Sequence, residues 1–296
     1  MDVTDRPPAH DGGPRLPHPA AGLVLSCHPG PVAAVTVLVT ALAVSSGAVS
    51  GRWALVAAAV LTGQLSVGWC NDAYDALRDT EAGRPGKPVA RGTVGRHVVW
   101  GAAFTALFLC AALSLACGRA AGAAHLTGVV AAWAYNLRLK ETVLSWLPYV
   151  IGFGSLPCLV ALSLPGRPWP AWWAVAAGAL LGAAAHLADV LPDIEADLRA
   201  GIRGLPQRLG PARTRLLLPV PLLAATAVLV LGPAGAADGG GVAALCGVAL
   251  LAVVVTAACA GPRQPHGAWR KTALAGTVAV ASVDVALLLA RGAEIA

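Results

Sequence analysis

The run WALVAAAVLTGQLSVGWCNDAYDALRDTE, residues 53–81, decides how this chain folds. No charge occurs from Trp53 to Asn71, and an α-helix needs about 20 predominantly apolar residues to cross the hydrocarbon core of a bilayer. The run then passes directly into Asn71, Asp72, Asp75 and Asp79, so a membrane-length apolar segment ends in a cluster of oxygen-bearing side chains. Its Ala, Leu, Val and Gly suit closely packed membrane helices better than the alternating faces of a β-barrel.

The rest of the chain has the same character. Of 296 residues, 57% are apolar and 12% charged, about half the charged fraction of a soluble domain, which excludes a water-soluble globule. Charge-poor runs predict nine membrane helices, at 29–49, 53–71, 97–118, 120–137, 145–165, 170–189, 214–234, 240–260 and 272–290, the last interrupted by Asp284. The expected fold is therefore all-α, a polytopic nine-helix bundle. Alternate connecting segments, counted from the N-terminus, hold 17 of the 21 Lys and Arg residues, which predicts a cytoplasmic N-terminus and a C-terminus on the opposite side. The net charge of +6 follows from this topology, and no nucleic-acid partner is expected. Residues 1–22, rich in Pro, His and Gly, read as a disordered tail, and residues 23–296 as one transmembrane domain. The seven cysteines form no CxxC pair and read as buried thiols. Trp53, Trp169, Trp172 and Trp173 are expected in an interfacial belt, and His125 and His186 as packing residues.

Eight of the fifteen acidic residues fall in two windows, Asp72, Asp75, Asp79 and Glu81, then Asp189, Asp193, Glu195 and Asp197. Asn71, Asp75 and Asp79 are spaced i, i+4, i+8, as are Asp189, Asp193 and Asp197, which on a helix continued past the bilayer stacks three ligands on one face. A constant offset of 118 residues relates the windows and extends to Gly83 and Gly201, Pro88 and Pro206, and Gly92 and Gly210. This predicts a parallel duplication of four helices with a ninth appended, both acidic ends sharing the cytoplasmic face. A solvated helix end has no reason to repeat its acids, glycines and proline at one offset.

So many carboxylates at one mouth repel one another unless cations occupy the site, and hard oxygen ligands without His or Cys point to Mg2+. Arg84, Lys87 and Arg91 follow the first window, and Arg199, Arg203 and Arg208 the second. Carboxylates, metal and then Arg or Lys make a site that grips a diphosphate.

The segment from Asn71 to Asp79, with Gly83-Arg84 and Lys87-Pro88 after it, resembles the NDxxDxxxD signature of the UbiA superfamily of intramembrane prenyltransferases. Asp189-Val-Leu-Pro-Asp193-Ile-Glu-Ala-Asp197 resembles that family's second Asp-rich motif. The resemblance implies a bundle in which Mg2+ and an isoprenyl diphosphate bind together and an isoprenyl group passes to an aromatic or lipid-like acceptor within the membrane. It places Asn71, Asp72, Asp75, Asp79, Asp189, Asp193 and Asp197 as metal ligands, and Asn71, Arg84, Lys87, Arg138, Arg203 and Arg208 on the diphosphate. Catalytic roles are expected for Asp72, Asp75, Asp193, Lys140 and Tyr135. The family's YxxxK element stands here as Tyr135-Asn-Leu-Arg138-Leu-Lys140, its Lys one residue late, and Cys27-His28-Pro29 stands where many relatives place Arg before Pro.

On these expectations the partners are an isoprenyl diphosphate, a hydrophobic acceptor and membrane lipid, and the site of this integral membrane protein opens to the cytoplasm. Trp69, Trp133, Tyr135 and Phe153 could present ring faces to an allylic cation. A terpene cyclase of the same superfamily, needing no acceptor, would use the same metal site, whereas a divalent-cation transporter would place several acids near the midplane. Chain length, acceptor and oligomeric state stay open at this level.

Overall fold

The computed structural model describes residues 19–81, 87–233, 247–249 and 268–296, with side chains in the last stretch from 277 onward. No strand occurs among them. Among the described residues, the helices whose ends are defined run in order: α1 (Pro19–Ser26), α2 (Pro29–Ser45), α3 (Ser50–Glu81), α4 (Arg96–Ala116), α5 (Arg119–Leu137), α6 (Leu147–Ser163), α7 (Trp172–Val190), α8 (Ile194–Arg199), α9 (Leu205–Leu217), α10 (Pro219–Leu231) and α11 (Ala268–Ala290). Short 3-10 turns at Leu139–Glu141 and Gly292–Glu294 complete the set.

The all-helical expectation holds. The span at 53–71 is the first part of α3, which continues unbroken to Glu81 because no Gly or Pro follows Gly68 within it. By length and composition, α3, α4 and α7 can each cross a membrane. Two further pairs qualify if each is one bent span, α1 with α2 at 56° and α9 with α10 at 46°, so the described residues supply three to five such spans. Both bends have sequence causes. His28 takes a left-handed conformation (φ 60°) ahead of Pro29, and Leu218 precedes Pro219. The expected span at 240–260 lies outside the described residues except for 247–249, as does the expected tail up to residue 18, while α1 already begins at Pro19.

Between membrane helices the surrounding lipid is as apolar as Leu, so close packing rather than water exclusion holds the bundle together, and small residues let backbones approach. α7 carries Gly178 and Gly182, four apart on one face. A Cβ at Gly178 would lie 2.8 Å from the Phe153 carbonyl oxygen, and one at Gly182 would overlap that of Tyr149. This contact brings Tyr149 of α6 beside the end of α7 that carries Asp189. The largest buried cluster joins Leu42 of α2, Val56 and Val60 of α3, Leu159 and Val160 of α6, Ala174 and Ala177 of α7, Leu229 of α10 and Leu288 of α11.

One local expectation changes, at Trp173, and two others gain partners. Trp169 and Trp172 are exposed, as an interfacial belt requires, but Trp173 is buried in this cluster against Gly232. His125 accepts or donates a hydrogen bond with Ser114 at 2.8 Å, tying α5 to α4, which fits a packing role. Asp284 is fully buried and bonded to the Thr226 hydroxyl at 2.6 Å, a paired acid that joins α11 to α10. The five described cysteines are free thiols.

Candidate active site

The first acidic window occupies the last turns of α3. Asp72 and Asp79 are almost fully buried, whereas the Asp75 side chain keeps 13% of its exposure. Asp75 sits one turn after Asn71, and both meet the end of α5. Lys140 clasps both Asp75 oxygens at 2.6 and 2.5 Å, and Asn71 donates to the Asn136 side chain at 3.2 Å. Asn136 in turn donates to the Val67 carbonyl at 2.9 Å, fixing its amide. Arg78 bridges Asp75 at 3.3 Å and Glu141 at 2.5 Å.

The late Lys has a structural explanation. α5 stops at Leu137, Arg138 leaves helical geometry (φ −151°, ψ −45°), and the Leu139–Glu141 turn swings Lys140 back toward α3. Tyr135 and Lys140 therefore both reach the acids despite the extra residue, and Arg138, at the break, is exposed. Lys140 itself is 5% exposed, with its ammonium 5.4 Å from the centre of the Tyr74 ring.

Asp72 is served from the other side. Its Oδ1 accepts from Lys87 at 2.8 Å and lies 3.5 Å from His28 Nε2, which is itself 3.1 Å from the Lys87 ammonium. Its Oδ2 is buried with no hydrogen-bond partner. His28 is held here by the left-handed link between α1 and α2, so the residue found in place of Arg lies against the Asp72–Lys87 pair. Arg84 lies outside the described residues.

The second window departs from the expected straight stack. α7 ends at Val190, because Pro192 has no N–H to continue the ladder, and a turn closed by Asp193 N–H to the Val190 carbonyl (3.0 Å) leads into α8. Asp189 thus belongs to α7, Asp193 stands immediately before α8, and Asp197 lies on α8. Asp189 and Asp193 are exposed, and Asp197 is half-buried. Asp189 accepts from the Tyr149 hydroxyl at 2.7 Å, and Asp197 from the Gln207 amide at 3.0 Å. Arg203 and Arg208 are exposed, with Arg208 Nε donating to the Arg203 carbonyl at 2.8 Å.

Tyr135 joins the two windows. Its ring meets Tyr149, whose hydroxyl holds Asp189, edge-on at 5.2 Å and His186 at 5.8 Å. A second link is backbone. A Cβ on Gly204 would lie 2.6 Å from the Lys140 carbonyl, so the segment after the second window rests on the turn that delivers Lys140. Leu205 N–H donates to Ser145 Oγ at 3.0 Å, and Ser145 bonds buried His186 at 3.1 Å. Ser145 Oγ has one proton and two lone pairs, so it accepts from Leu205 and bonds His186 Nε2 as donor or acceptor according to the imidazole tautomer. The packing histidine of the sequence reading therefore holds a specific bond.

Of the other aromatic candidates, Trp69 donates to the Leu23 carbonyl and Trp133 to Ser66, while Phe153 packs against the α7–α10 core. Tyr135 alone of the four is seen among the acids. Tyr149, Asn136, Ser145 and Gln207 escaped a reading guided by charge, because uncharged side chains in apolar helices leave no mark on it. Tyr149→Phe, which deletes the hydroxyl bonded to Asp189, is expected to lower turnover about 10- to 100-fold with insertion unchanged if Asp189 serves as a metal ligand, the usual cost of removing a partner that orients such a carboxylate. Initial rates in detergent, against folded protein measured by size exclusion, check this.

The donors suit Mg2+. Among the described residues no three His, Cys, Asp or Glu side chains converge as a closed cage. Mg2+ does not require one, since it takes one or two carboxylates and completes its shell with water and substrate phosphates. The all-oxygen windows, with Asp72 Oδ2 unpartnered and lysines within reach, fit that open mode.

Residues 33–281 match the model of the UbiA prenyltransferase family. The bacteriochlorophyll synthase 33 kDa chain of Cereibacter sphaeroides is 34% identical over 54% of this chain, a match spanning 56% of that relative. The fold is similar to that of a UbiA homolog from Archaeoglobus fulgidus bound to GPP and Mg2+, with a TM-score of 0.68 at 16% identity, covering 91% of this chain and 98% of that one. A UbiA homolog from Aeropyrum pernix K1 in its apo form gives a TM-score of 0.63 at 20% identity, covering 91% and 97%. The family model spans most of the chain, and the helical fold agrees with it over nine-tenths of its length: the chain belongs to the UbiA prenyltransferase family.

Proposed function

We propose that this UbiA-family prenyltransferase is a Mg2+-dependent enzyme that moves an isoprenyl group from an isoprenyl diphosphate to an aromatic or lipid-like acceptor within the membrane. The observation that carries the reading is that the first acidic window, held by Lys140 at Asp75, and the second, reached by Tyr149 at Asp189, lie on either side of the Tyr135–Tyr149 ring pair. The relatives support it. The Archaeoglobus fulgidus homolog is bound to GPP and Mg2+ in one structure and to DMAPP and Mg2+ in another.

In this scheme Asn71, Asp72, Asp75 and Asp79 with Asp189, Asp193 and Asp197 hold the metal. Bound Mg2+ supplies neutralisation of the diphosphate charge, which weakens the allylic C–O bond. Lys87, Lys140, Arg84, Arg203 and Arg208 receive the negative charge that develops on the leaving diphosphate, and Arg138 lies at the rim. The Tyr135 ring faces the allylic cation, and the apolar bundle excludes the water that would otherwise capture it. A bond from the allylic carbon to the acceptor replaces the C–O bond, and the proton displaced from the acceptor leaves with the diphosphate or to solvent.

The topology in the proposal is nine spans with the N-terminus in the cytoplasm and the site opening to that side, supported by the one-sided distribution of basic residues. The acceptor distinguishes transfer from cyclisation. Purified protein incubated with isoprenyl diphosphates of several lengths, with and without a lipid and aromatic extract, is expected to give prenylated products only with the extract. A cyclic terpene formed from the diphosphate alone would overturn the transferase reading. EDTA is expected to stop turnover completely and added Mg2+ to restore it, followed by diphosphate release. Undiminished release in EDTA would remove the metal from the scheme.

A further inference from the structure

The outer face of α7, turned away from Tyr135, borders a cavity of about 260 Å3. Trp146 just before α6, Leu180 and Leu187 of α7, Leu205 and Leu217 of α9 and Val220 of α10 line it, with the small side chains of Ala183 and Ala224 between them. Every lining side chain is apolar apart from the indole N–H of Trp146. Leu217 lies one turn beyond Arg213 on α9, which places that exposed arginine beside the groove. Residues 205–231 contain Arg208, Arg213 and Arg215 and no acidic residue. α9 carries these bases ahead of exposed Leu216 and Leu217 and bends by 46° into α10, the form of a segment that lies at the membrane surface before entering it.

We propose that this groove is a binding site for one anionic phospholipid, with an acyl chain along Trp146, Leu187 and Val220 and the phosphate at Arg213. The charge selects the occupant. An apolar trough beside Arg213, in a segment that holds no acidic residue, favours a lipid with net negative charge over a zwitterionic one. The site also touches the machinery from behind. Leu205, one wall of the groove, gives its N–H to Ser145, which bonds His186 beneath Tyr149. A bound chain therefore buttresses the segment that follows the second acidic window.

Trp146 provides the probe. In nanodiscs, quenching of the fluorescence lost in Trp146→Phe is to be measured against mole fraction of dibrominated phosphatidylglycerol or dibrominated phosphatidylcholine. Half-quenching is expected at an about fivefold lower fraction of the anionic lipid, the preference one basic residue near the surface confers. Arg213→Gln should bring the two curves together, and Ala224→Leu, which fills the trough, should weaken both. Coincident curves for the unmodified protein mean non-selective boundary lipid and overturn the proposal. So does a preference that survives Arg213→Gln, or quenching untouched by Ala224→Leu. Arg213 is on the surface, so its substitution does not depend on refolding the bundle, and none of these readouts requires the proposed turnover.

Discussion

Asp75→Ala is expected to lower turnover by at least about 1000-fold, since it removes a proposed metal ligand and frees the Lys140 ammonium from its clasp. It should also destabilise the protein. Lys140 is 5% exposed, and deleting one member of a buried ion pair leaves the other charge unpaired, at about 3–5 kcal/mol in the most enclosed cases. Asp75 retains some contact with water, so the loss here should fall at or below the lower end of that range. The double variant Asp75→Asn/Lys140→Met separates the two effects, because it removes both charges while keeping the volumes. Its thermal midpoint should return toward that of the unmodified protein while turnover stays absent. If the double variant turns over normally, Asp75 is a structural acid and the assignment of the first window fails.

Asp193→Ala is expected to have a comparable effect on rate without the cost in stability. Asp193 is exposed at the start of α8, outside the packed core, so its loss should shift the thermal midpoint by no more than a surface substitution does, within about 0.5 kcal/mol. Turnover should nevertheless fall by about 100- to 1000-fold if it holds charge that the diphosphate needs neutralised. Raising Mg2+ should recover part of the rate, since a lost ligand weakens metal binding before it abolishes it. A fully active Asp193→Ala enzyme would confine the site to Asp189 and Asp197. The contrast between the variants follows from burial: Asp75 is largely enclosed and paired with buried Lys140, whereas Asp193 lies exposed at the surface.

The two windows were equally legible as residue patterns, yet they fold differently. In the first, eleven residues from Asn71 to Glu81 without Gly or Pro let α3 carry its ligands at helical spacing. In the second, Pro192 stands between Asp189 and Asp193 and ends α7, so the shared i, i+4, i+8 spacing does not make a shared helix. Periodicity states what a helix would place on one face. Whether the helix persists depends on each residue's ability to donate its N–H.

Tyr149 marks the other limit of sequence reading. Its hydroxyl reaches Asp189, 40 residues away, only because Gly178 and Gly182 let α6 lie against α7 at backbone contact. His28 reaches Asp72 through the bend between α1 and α2, and Lys140 reaches Asp75 through the break at Arg138.

The amino-acid sequence by itself determined that the chain is a bundle of membrane helices and that its scarce charges gather in two repeated acidic windows flanked by bases. These are one-dimensional properties, because the cost of burying charge in lipid acts on every residue and leaves its trace in the spacing of those that escape it. Only the tertiary structure decided which groups answer those acids. The partners Tyr149, Asn136, Ser145 and Gln207 are uncharged, and the geometry that brings them close is set by helix crossings and by breaks at single residues. Such contacts depend on ångström-scale packing between distant segments, for which neither hydropathy nor periodicity carries a signal.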